Sequence, residues 1–324
     1  MRALRVTELS GPDGLELGDA PEPDAGEGIL IDVEAAGVAF PDLLLTRGQY
    51  QLKPDPPFVP GAEVAGTVAS AGEGTGFSEG DRVMAVTLLS GFAERAASPA
   101  HLTFRVPKSF SIEQAGGFVL NYHTAHFALH HRGRLREGET VLVQGAAGGV
   151  GTATIQVAKG SGARVIAVVS SDAKEDVARR AGADDVVRSD SDWRGEVKTL
   201  TNGRGVDLVM DPVGGERFAD SLRSLAPEGR LLVVGFAEGE IPTVSVNRLL
   251  LRNVDLVGVA WGAFVMDKPD LCREIAEDLE RMADAGAVDP IVDDVYPLED
   301  GARAVRQLDE RGALGKIVLR VTGG

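Results

Sequence analysis

The stretch Val141-Leu142-Val143-Gln144-Gly145-Ala146-Ala147-Gly148-Gly149-Val150-Gly151, running on through Lys174, decides the fold. It reads as a strand (Val141–Gln144), a glycine turn (Gly145–Gly151), a helix (Thr152–Lys159) and a second strand (Arg164–Val169). A chain that turns directly from a parallel strand into a helix presents unbonded backbone N–H groups at the helix start. Together with the helix dipole, those groups favour an anion such as a pyrophosphate. Glycines let the phosphate approach the backbone and let the helix lie close to the strand. Gly148 and Gly151 keep the spacing of the last two glycines of the dinucleotide fingerprint, while Ala146 stands in place of the first. A strand before, a helix after and a second strand closing the unit within about 30 residues favour this reading over a plain glycine-rich hairpin. The turn therefore predicts a bound dinucleotide, contacted by Ala147, Gly148, Gly149, Val150 and Gly151, and a redox function.

The same alternation continues outward. Strands are predicted near Asp185–Val187, Asp207–Met210, Leu231–Val234 and Asp255–Val259, with helices at Lys174–Arg180, Trp193–Thr201 and Glu216–Leu225. The last helix is expected to end before Pro227 and Gly229. This pattern predicts a doubly wound parallel sheet with right-handed crossovers. Upstream of about Tyr122 the pattern is different. Short alternating segments broken by Gly and Pro (Gly28–Ala35, Ala62–Ala71, Asp81–Thr87, Phe92–Ala97) predict an antiparallel, barrel-like β region. A long helix (Leu271–Ala283) and a terminal strand (Lys316–Val321) are expected to return to that first domain.

Composition bounds the function. The chain has 324 residues, enough for two domains, and 44% of them are hydrophobic. No run of about 18 apolar residues is present, so no membrane span is expected. The N-terminus alternates like a strand and lacks a signal-peptide core. A single cysteine, Cys272, excludes an internal disulfide and any multi-cysteine metal site, and fits a reducing, cytoplasmic location. A net charge of −16 argues against nonspecific binding to nucleic acid or anionic membrane.

Several segments together carry a family resemblance: Gly37-Val38-Ala39-Phe40-Pro41-Asp42, Pro60-Gly61-Ala62-Glu63-Val64-Ala65-Gly66, Glu79-Gly80-Asp81-Arg82-Val83, the Gly145–Gly151 turn, Asp211-Pro212-Val213-Gly214-Gly215 and Gly315-Lys316-Ile317-Val318-Leu319. In this order, over nearly the whole chain, they resemble the medium-chain dehydrogenase/reductase superfamily, and within it the zinc-independent quinone oxidoreductases. The resemblance implies an α/β protein with a GroES-like β-rich catalytic domain (1–121 and 262–324) and a Rossmann nucleotide-binding domain (122–261), with the nicotinamide in the cleft between them. Zinc-dependent relatives bind catalytic zinc through Cys, His and Cys. Those positions fall on Ala39, Ala62 and Gly116, none of which can ligate a metal. The structural-zinc lobe has no counterpart either. Without a Lewis acid to stabilise an alkoxide, a zinc alcohol dehydrogenase reading fails.

The cofactor expected is NADP(H). An acidic residue at the end of the second strand would select NAD, but Ser170-Ser171 stands there and Asp172 is assigned to capping the next helix. Lys174, with Arg188 nearby, can reach a 2′-phosphate; otherwise Lys174 is an exposed helix residue. The resemblance implies a nicotinamide-side contact from Thr124 and cofactor contacts from Arg311 and Lys316 in the returning segment, while Val234-Gly235-Phe236-Ala237 ends a parallel strand, where ligands gather in open α/β sheets. Asp211 serves either ligand contact or loop capping. Trp261 and Phe264 line an apolar pocket, or strand Asp255–Trp261 forms an oligomer edge. Reduction of a quinone or an enone moves electron density to a carbonyl oxygen, which a hydrogen-bond donor stabilises. Tyr50 is the candidate donor, the alternative being ordinary packing. Asp42 joins it as a catalytic candidate, or orients backbone. Many quinone reductases carry Asn where this chain has Ala39, so the proton donor is left open.

His123, His126 and His130 share one helix face, but no carboxylate joins them, and packing is preferred to metal binding. The partners expected are a small quinone or enone and a second copy of the chain, as a homodimer or homotetramer paired through Val254–Ala260. Two other functions compete: an enoyl-thioester reductase, and a low-turnover NADPH-binding redox sensor.

Overall fold

The computed structural model describes residues 1–321. The chain divides into two compact units. One comprises Met1–Leu120, Lys268–Glu280 and the chain from Pro290 onward; the other comprises Asn121–Asp267 and Arg281–Asp289.

The first unit begins with a hairpin of β1 (Arg2–Val6) and β2 (Leu15–Asp19). Then follow β3 (Ile29–Val38), α1 (Phe40–Thr46), β4 (Glu63–Ala71), β5 (Arg82–Val86), β6 (Arg95–Ser98), β7 (Thr103–Arg105), α2 (Ile112–Gly116) and the start of α3 (Val119–His126). β3 is the spine. Its alternate residues Ile29, Ile31 and Val33 are fully buried, as the period of 2 in its sequence demands, and they pack with Leu4, Val64, Val68 and Phe92. β3 pairs antiparallel with β4, and the ladder slips between Val33 and Ala35. Only glycine fits opposite that slip: a Cβ on Gly66 would lie 2.0 Å from the Asp32 carbonyl oxygen.

The second unit is a six-stranded parallel sheet of β8 (Thr140–Val143), β9 (Arg164–Val169), β10 (Asp185–Arg188), β11 (Val206–Asp211), β12 (Leu225–Val233) and β13 (Asp255–Gly258), in spatial order β10-β9-β8-β11-β12-β13. This is the doubly wound arrangement expected. Its strands are apolar almost throughout because helices cover both faces. The helices are α4 (Gly149–Gly160), α5 (Asp172–Arg180), α6 (Trp193–Leu200) and α7 (Phe218–Arg223), with short α8 (Asn247–Leu250) and α9 (Trp261–Phe264) later. Leu142, Ile166, Val209 and Leu231 pack with Trp193, Val197, Phe218 and Leu222 on one face.

After α10 (Pro269–Asp284) the chain completes the first unit with β14 (Val292–Pro297), α11 (Gly301–Asp309) and β15 (Lys316–Arg320). β15 docks antiparallel on β3.

Two expectations need correction. The helix expected over Glu216–Leu225 stops at Arg223, and Pro227 and Gly229 lie inside β12. β12 leaves β11 after pairing Val206 with Leu225 and rejoins it at Leu208 and Arg230, with Glu228 at φ +63° in the excursion. Pro227 therefore sits where no ladder donor is needed, and it interrupts nothing. Trp261 is not on an edge strand. β13 ends at Gly258, and Trp261 starts α9 with its buried indole 5.2 Å from the His123 ring. Among the described residues, no helix is long and apolar enough to cross a membrane.

Candidate functional site

In the second unit the glycine turn forms as its sequence requires. Gly145 takes φ +59°, and Gly148 caps α4 in an extended conformation (φ −84°, ψ 174°). The first helical bond runs from Thr152 N–H to the Gly148 carbonyl at 2.8 Å. The N–H groups of Gly149, Val150 and Gly151 therefore have no acceptor within the helix. Glycine is needed here for two different reasons. A Cβ on Gly151 would lie 2.3 Å from the Gly145 carbonyl oxygen, so Gly151 serves close packing of turn and helix. A Cβ on Gly148 would have only the Gly145 oxygen nearby, at 3.5 Å, so Gly148 leaves open space above the turn. That open space beside unbonded N–H groups fits a diphosphate. Asn121 is a contact that sequence reading missed: its side chain packs where a Gly149 Cβ would fall, at 2.4 Å. Ala146 and Ala147 are buried beneath the turn.

At the end of β9, the structure brings Ser170, Ser171, Lys174 and Arg188 together. Ser171 caps α5 by accepting the Lys174 N–H at 3.4 Å, and Lys174 Nζ lies 3.3 Å from Ser170 Oγ. The cap expected at Asp172 is thus Ser171. Asp172 is the first residue of α5 and pairs its carboxylate with Arg188, which also donates to the Ser170 carbonyl at 3.2 Å. Two cations and two hydroxyls in one corner suit a phosphate monoester.

Val234, Gly235 and Phe236 follow β12 and lie along the loop after β11. Val234 N–H bonds the Asp211 carbonyl at 3.0 Å, and Ala237 N–H bonds that of Pro212 at 3.1 Å. Asp211 takes the loop-capping alternative: its Oδ1 accepts the N–H groups of Val213 and Gly214, both at 2.9 Å, and burial raises its pKa. Thr124 is half-exposed on α3 between buried neighbours. The histidine face is packing. His126 and His130 lie ring to ring at 4.6 Å, and burial lowers the pKa of His126 to about 3. Among the described residues no group of three or more His, Cys, Asp or Glu could hold a metal.

In the first unit, α1 carries the catalytic candidates. Asp42 was expected among groups that meet substrate, but it is fully buried. Its Oδ2 accepts the Ala39 N–H at 2.8 Å and its Oδ1 the Gly61 N–H at 3.1 Å. It ties the start of α1 at Ala39 to the Gly61 turn, the backbone-orienting alternative. Burial pushes its carboxyl up to about 7, against the backbone N–H of Ala39 and the charge of Lys316. After α1 the chain turns through Gly48 at φ +63°, which leaves Tyr50 half-buried. Burial first, then the Asp42 charge, raise the pKa of the Tyr50 phenol.

Lys316 was expected at the cofactor. Its ammonium is buried and paired with Glu63, Nζ to Oε1 at 2.5 Å. The other oxygen of Glu63 accepts the Leu120 N–H at 2.9 Å, in the first turn of α3. Sequence reading singled out Lys316 and missed Glu63, although an acid opening an apolar strand (Glu63-Val64-Ala65) signals a buried, paired charge. Arg311 follows α11 on the surface at φ +59°.

Comparison with known proteins agrees with this architecture. Residues 25–127 match the alcohol dehydrogenase GroES-like domain and residues 149–279 the zinc-binding dehydrogenase family. The chain is 37% identical over 321 residues to quinone oxidoreductase-like protein 2 of Rattus norvegicus, covering 98% of this chain and 91% of the relative. It is 33% identical over 326 residues to the quinone oxidoreductase of the same animal, covering 98% and 97%. The chain belongs to the medium-chain dehydrogenase/reductase superfamily, in its quinone oxidoreductase branch. A mycobacterial protein solved in complex with NADPH superimposes with a TM-score of 0.92 at 38% identity, covering 99% of this chain and 100% of that one. The protein is therefore an oxidoreductase of quinone oxidoreductase type.

Proposed function

We propose that this oxidoreductase uses NADPH to reduce a quinone or an α,β-unsaturated carbonyl without zinc. The open space above Gly148 carries the reading, because it lets an anion approach the N–H groups that the start of α4 leaves unbonded. Ser170, Ser171, Lys174 and Arg188 bind the 2′-phosphate and favour NADPH over NADH. The bound nucleotide supplies the hydride. Tyr50 donates its phenol hydrogen bond to the acceptor carbonyl oxygen, where negative charge develops. Thr124, Val234, Gly235 and Phe236 orient the nicotinamide end. Trp261 is a wall buried against His123. Ala39, Ala62 and Gly116 supply no metal ligand.

Two copies of the chain pair through β13, which ends the six-stranded sheet and offers one unpaired side beside exposed Leu250 and Leu251. The lone thiol, Cys272, suits a reducing cytoplasm.

The test follows NADPH absorbance with 1,4-benzoquinone, 9,10-phenanthrenequinone and a crotonyl thioester. Quinone-dependent loss of absorbance supports the proposal. Turnover confined to the thioester would replace it with an enoyl-thioester reductase, and binding without consumption would replace it with a redox sensor.

A further inference from the structure

We propose that Asp172 is a specificity-determining residue, which limits the preference for NADPH over NADH by occupying the guanidinium of Arg188. This rests on the reading of Ser170, Ser171, Lys174 and Arg188 as the corner that takes the 2′-phosphate.

Two cations converge on one residue at the end of β9. Arg188 Nη2 donates to the Ser170 carbonyl at 3.2 Å, and Lys174 Nζ lies 3.3 Å from the Ser170 hydroxyl oxygen. The guanidinium is engaged on its other sides as well. Nη1 donates to the carboxylate of Asp172, the first residue of α5, and Nε lies 3.6 Å from Oδ1 of Asp190. Two carboxylates therefore balance the charges of Arg188 and Lys174. They are not equivalent. Asp172 takes a terminal nitrogen of the fork, the part of an arginine that binds a phosphate with two parallel hydrogen bonds. Its side chain is 97% exposed, so the pair adds little to stability. Nor does Asp172 cap α5, since Ser171 does that. The effect of the pair falls on the guanidinium. A 2′-phosphate entering the corner gains the full fork only by displacing a carboxylate of its own sign, which then stays nearby and repels it. NADH carries a hydroxyl in that place and leaves the pair intact. Asparagine at position 172 keeps the size of the side chain and removes the competing charge, so it frees Arg188 for the phosphate alone.

Calorimetric titration of the wild type and of Asp172→Asn with NADPH and with NADH, no acceptor present, reads the effect directly. In Asp172→Asn the Kd for NADPH should fall roughly 3- to 10-fold while that for NADH changes less than about twofold. In an Arg188→Met background the same substitution should gain much less for NADPH, because no guanidinium is left to release. An unchanged NADPH affinity in Asp172→Asn overturns the proposal. So does an equal change for both coenzymes, or the same gain with and without Arg188. Lys174→Ala separates this role from the reading beneath it. A loss of affinity for NADPH alone keeps the phosphate in the corner whatever Asp172 does, and the Asp172→Asn ratio then decides. An equal loss for both coenzymes removes the phosphate from the corner, and the role of Asp172 with it.

Discussion

Alanine at two glycines of one turn should have opposite consequences. At Gly151 the new methyl would sit 2.3 Å from the Gly145 carbonyl oxygen and 2.7 Å from two Ala146 backbone atoms. Those neighbours are backbone, so turn and helix must separate by about 1 Å, at a cost of about 1–3 kcal/mol for overpacking. That lowers the melting temperature by roughly 2–10 °C in a domain of this size. At Gly148 the φ of −84° suits alanine, and the methyl meets its nearest atom at 3.5 Å. The small N-cap penalty of alanine is offset by the reduced freedom of the unfolded chain, so stability should change by less than about 1 kcal/mol. The methyl instead fills the space proposed for the diphosphate. Losing one charge-assisted N–H bond, worth about 1.5–3 kcal/mol, weakens NADPH binding roughly 10- to 150-fold. Thermal melts and calorimetric titration with NADPH measure both effects. Wild-type affinity in Gly148→Ala would show that the phosphate does not lie at this turn, and an unchanged melt in Gly151→Ala would refute the packing argument.

Three further outcomes are expected. Folding raises the pKa of Asp42 to about 7 from an unfolded value near 4. The native state therefore binds this proton more tightly, and stability should fall as pH rises from about 4 to about 7, by up to roughly 4 kcal/mol. Urea unfolding across that range measures the fall, and an equal fall in Asp42→Asn would assign it to other groups. Lys174→Ala should raise KM for NADPH about tenfold or more and leave NADH kinetics unchanged; equal effects on both would place Lys174 away from the 2′-phosphate. Dialysis against a chelator should leave turnover and the metal content of active enzyme unaffected. Stoichiometric zinc lost together with activity would contradict the reading of Ala39, Ala62 and Gly116.

Most strands of both units could be read from the sequence because each is decided locally, although β2, β7 and β14 were not singled out. β9 is one apolar run between helix signals, and β3 alternates. The glycine turn was legible for the same reason. What escaped depended on contacts across long stretches of chain. Pro227 and Gly229 signal a helix stop in isolation, but in the fold they occupy an excursion of β12 that only the β11 partner reveals. Trp261 continues a strand pattern until its indole finds His123, more than a hundred residues away. Lys316 was expected at the cofactor because it lies in the returning C-terminal segment that the family resemblance points to. Its partner, Glu63, lies 253 residues away. Tyr50 follows the Gly48 turn after α1, and the raised pKa of its phenol comes from burial first and then from the Asp42 charge, neither of which its own neighbours in sequence announce.

Two buried aspartates show how far a single atom's accounting can be taken. Asp42 and Asp211 each organise an irregular loop by accepting two backbone N–H groups, and burial raises the pKa of both. They differ in which oxygens they use. Asp211 takes both N–H groups on Oδ1, and its buried Oδ2 has no partner. Asparagine there keeps the working oxygen and replaces the idle one with an amide. The register neighbour on β8 supplies an acceptor, because Gln144 follows Val143, the partner of Met210, and its buried Oε1 also has no partner. Asp211→Asn should therefore be neutral or stabilising, since a desolvated carboxyl is exchanged for a neutral group. Asp42 uses Oδ2 for Ala39 and Oδ1 for Gly61. Asparagine can accept only one of them and turns an amide toward the other N–H, which costs about 1–3 kcal/mol and offsets part of the relief from removing the buried charge, so Asp42→Asn should gain less than that relief alone would give. Urea denaturation of both variants at pH 8 tests the difference. Equal changes would mean that these carboxyls act through their charge, and that the choice of oxygen has no energetic meaning.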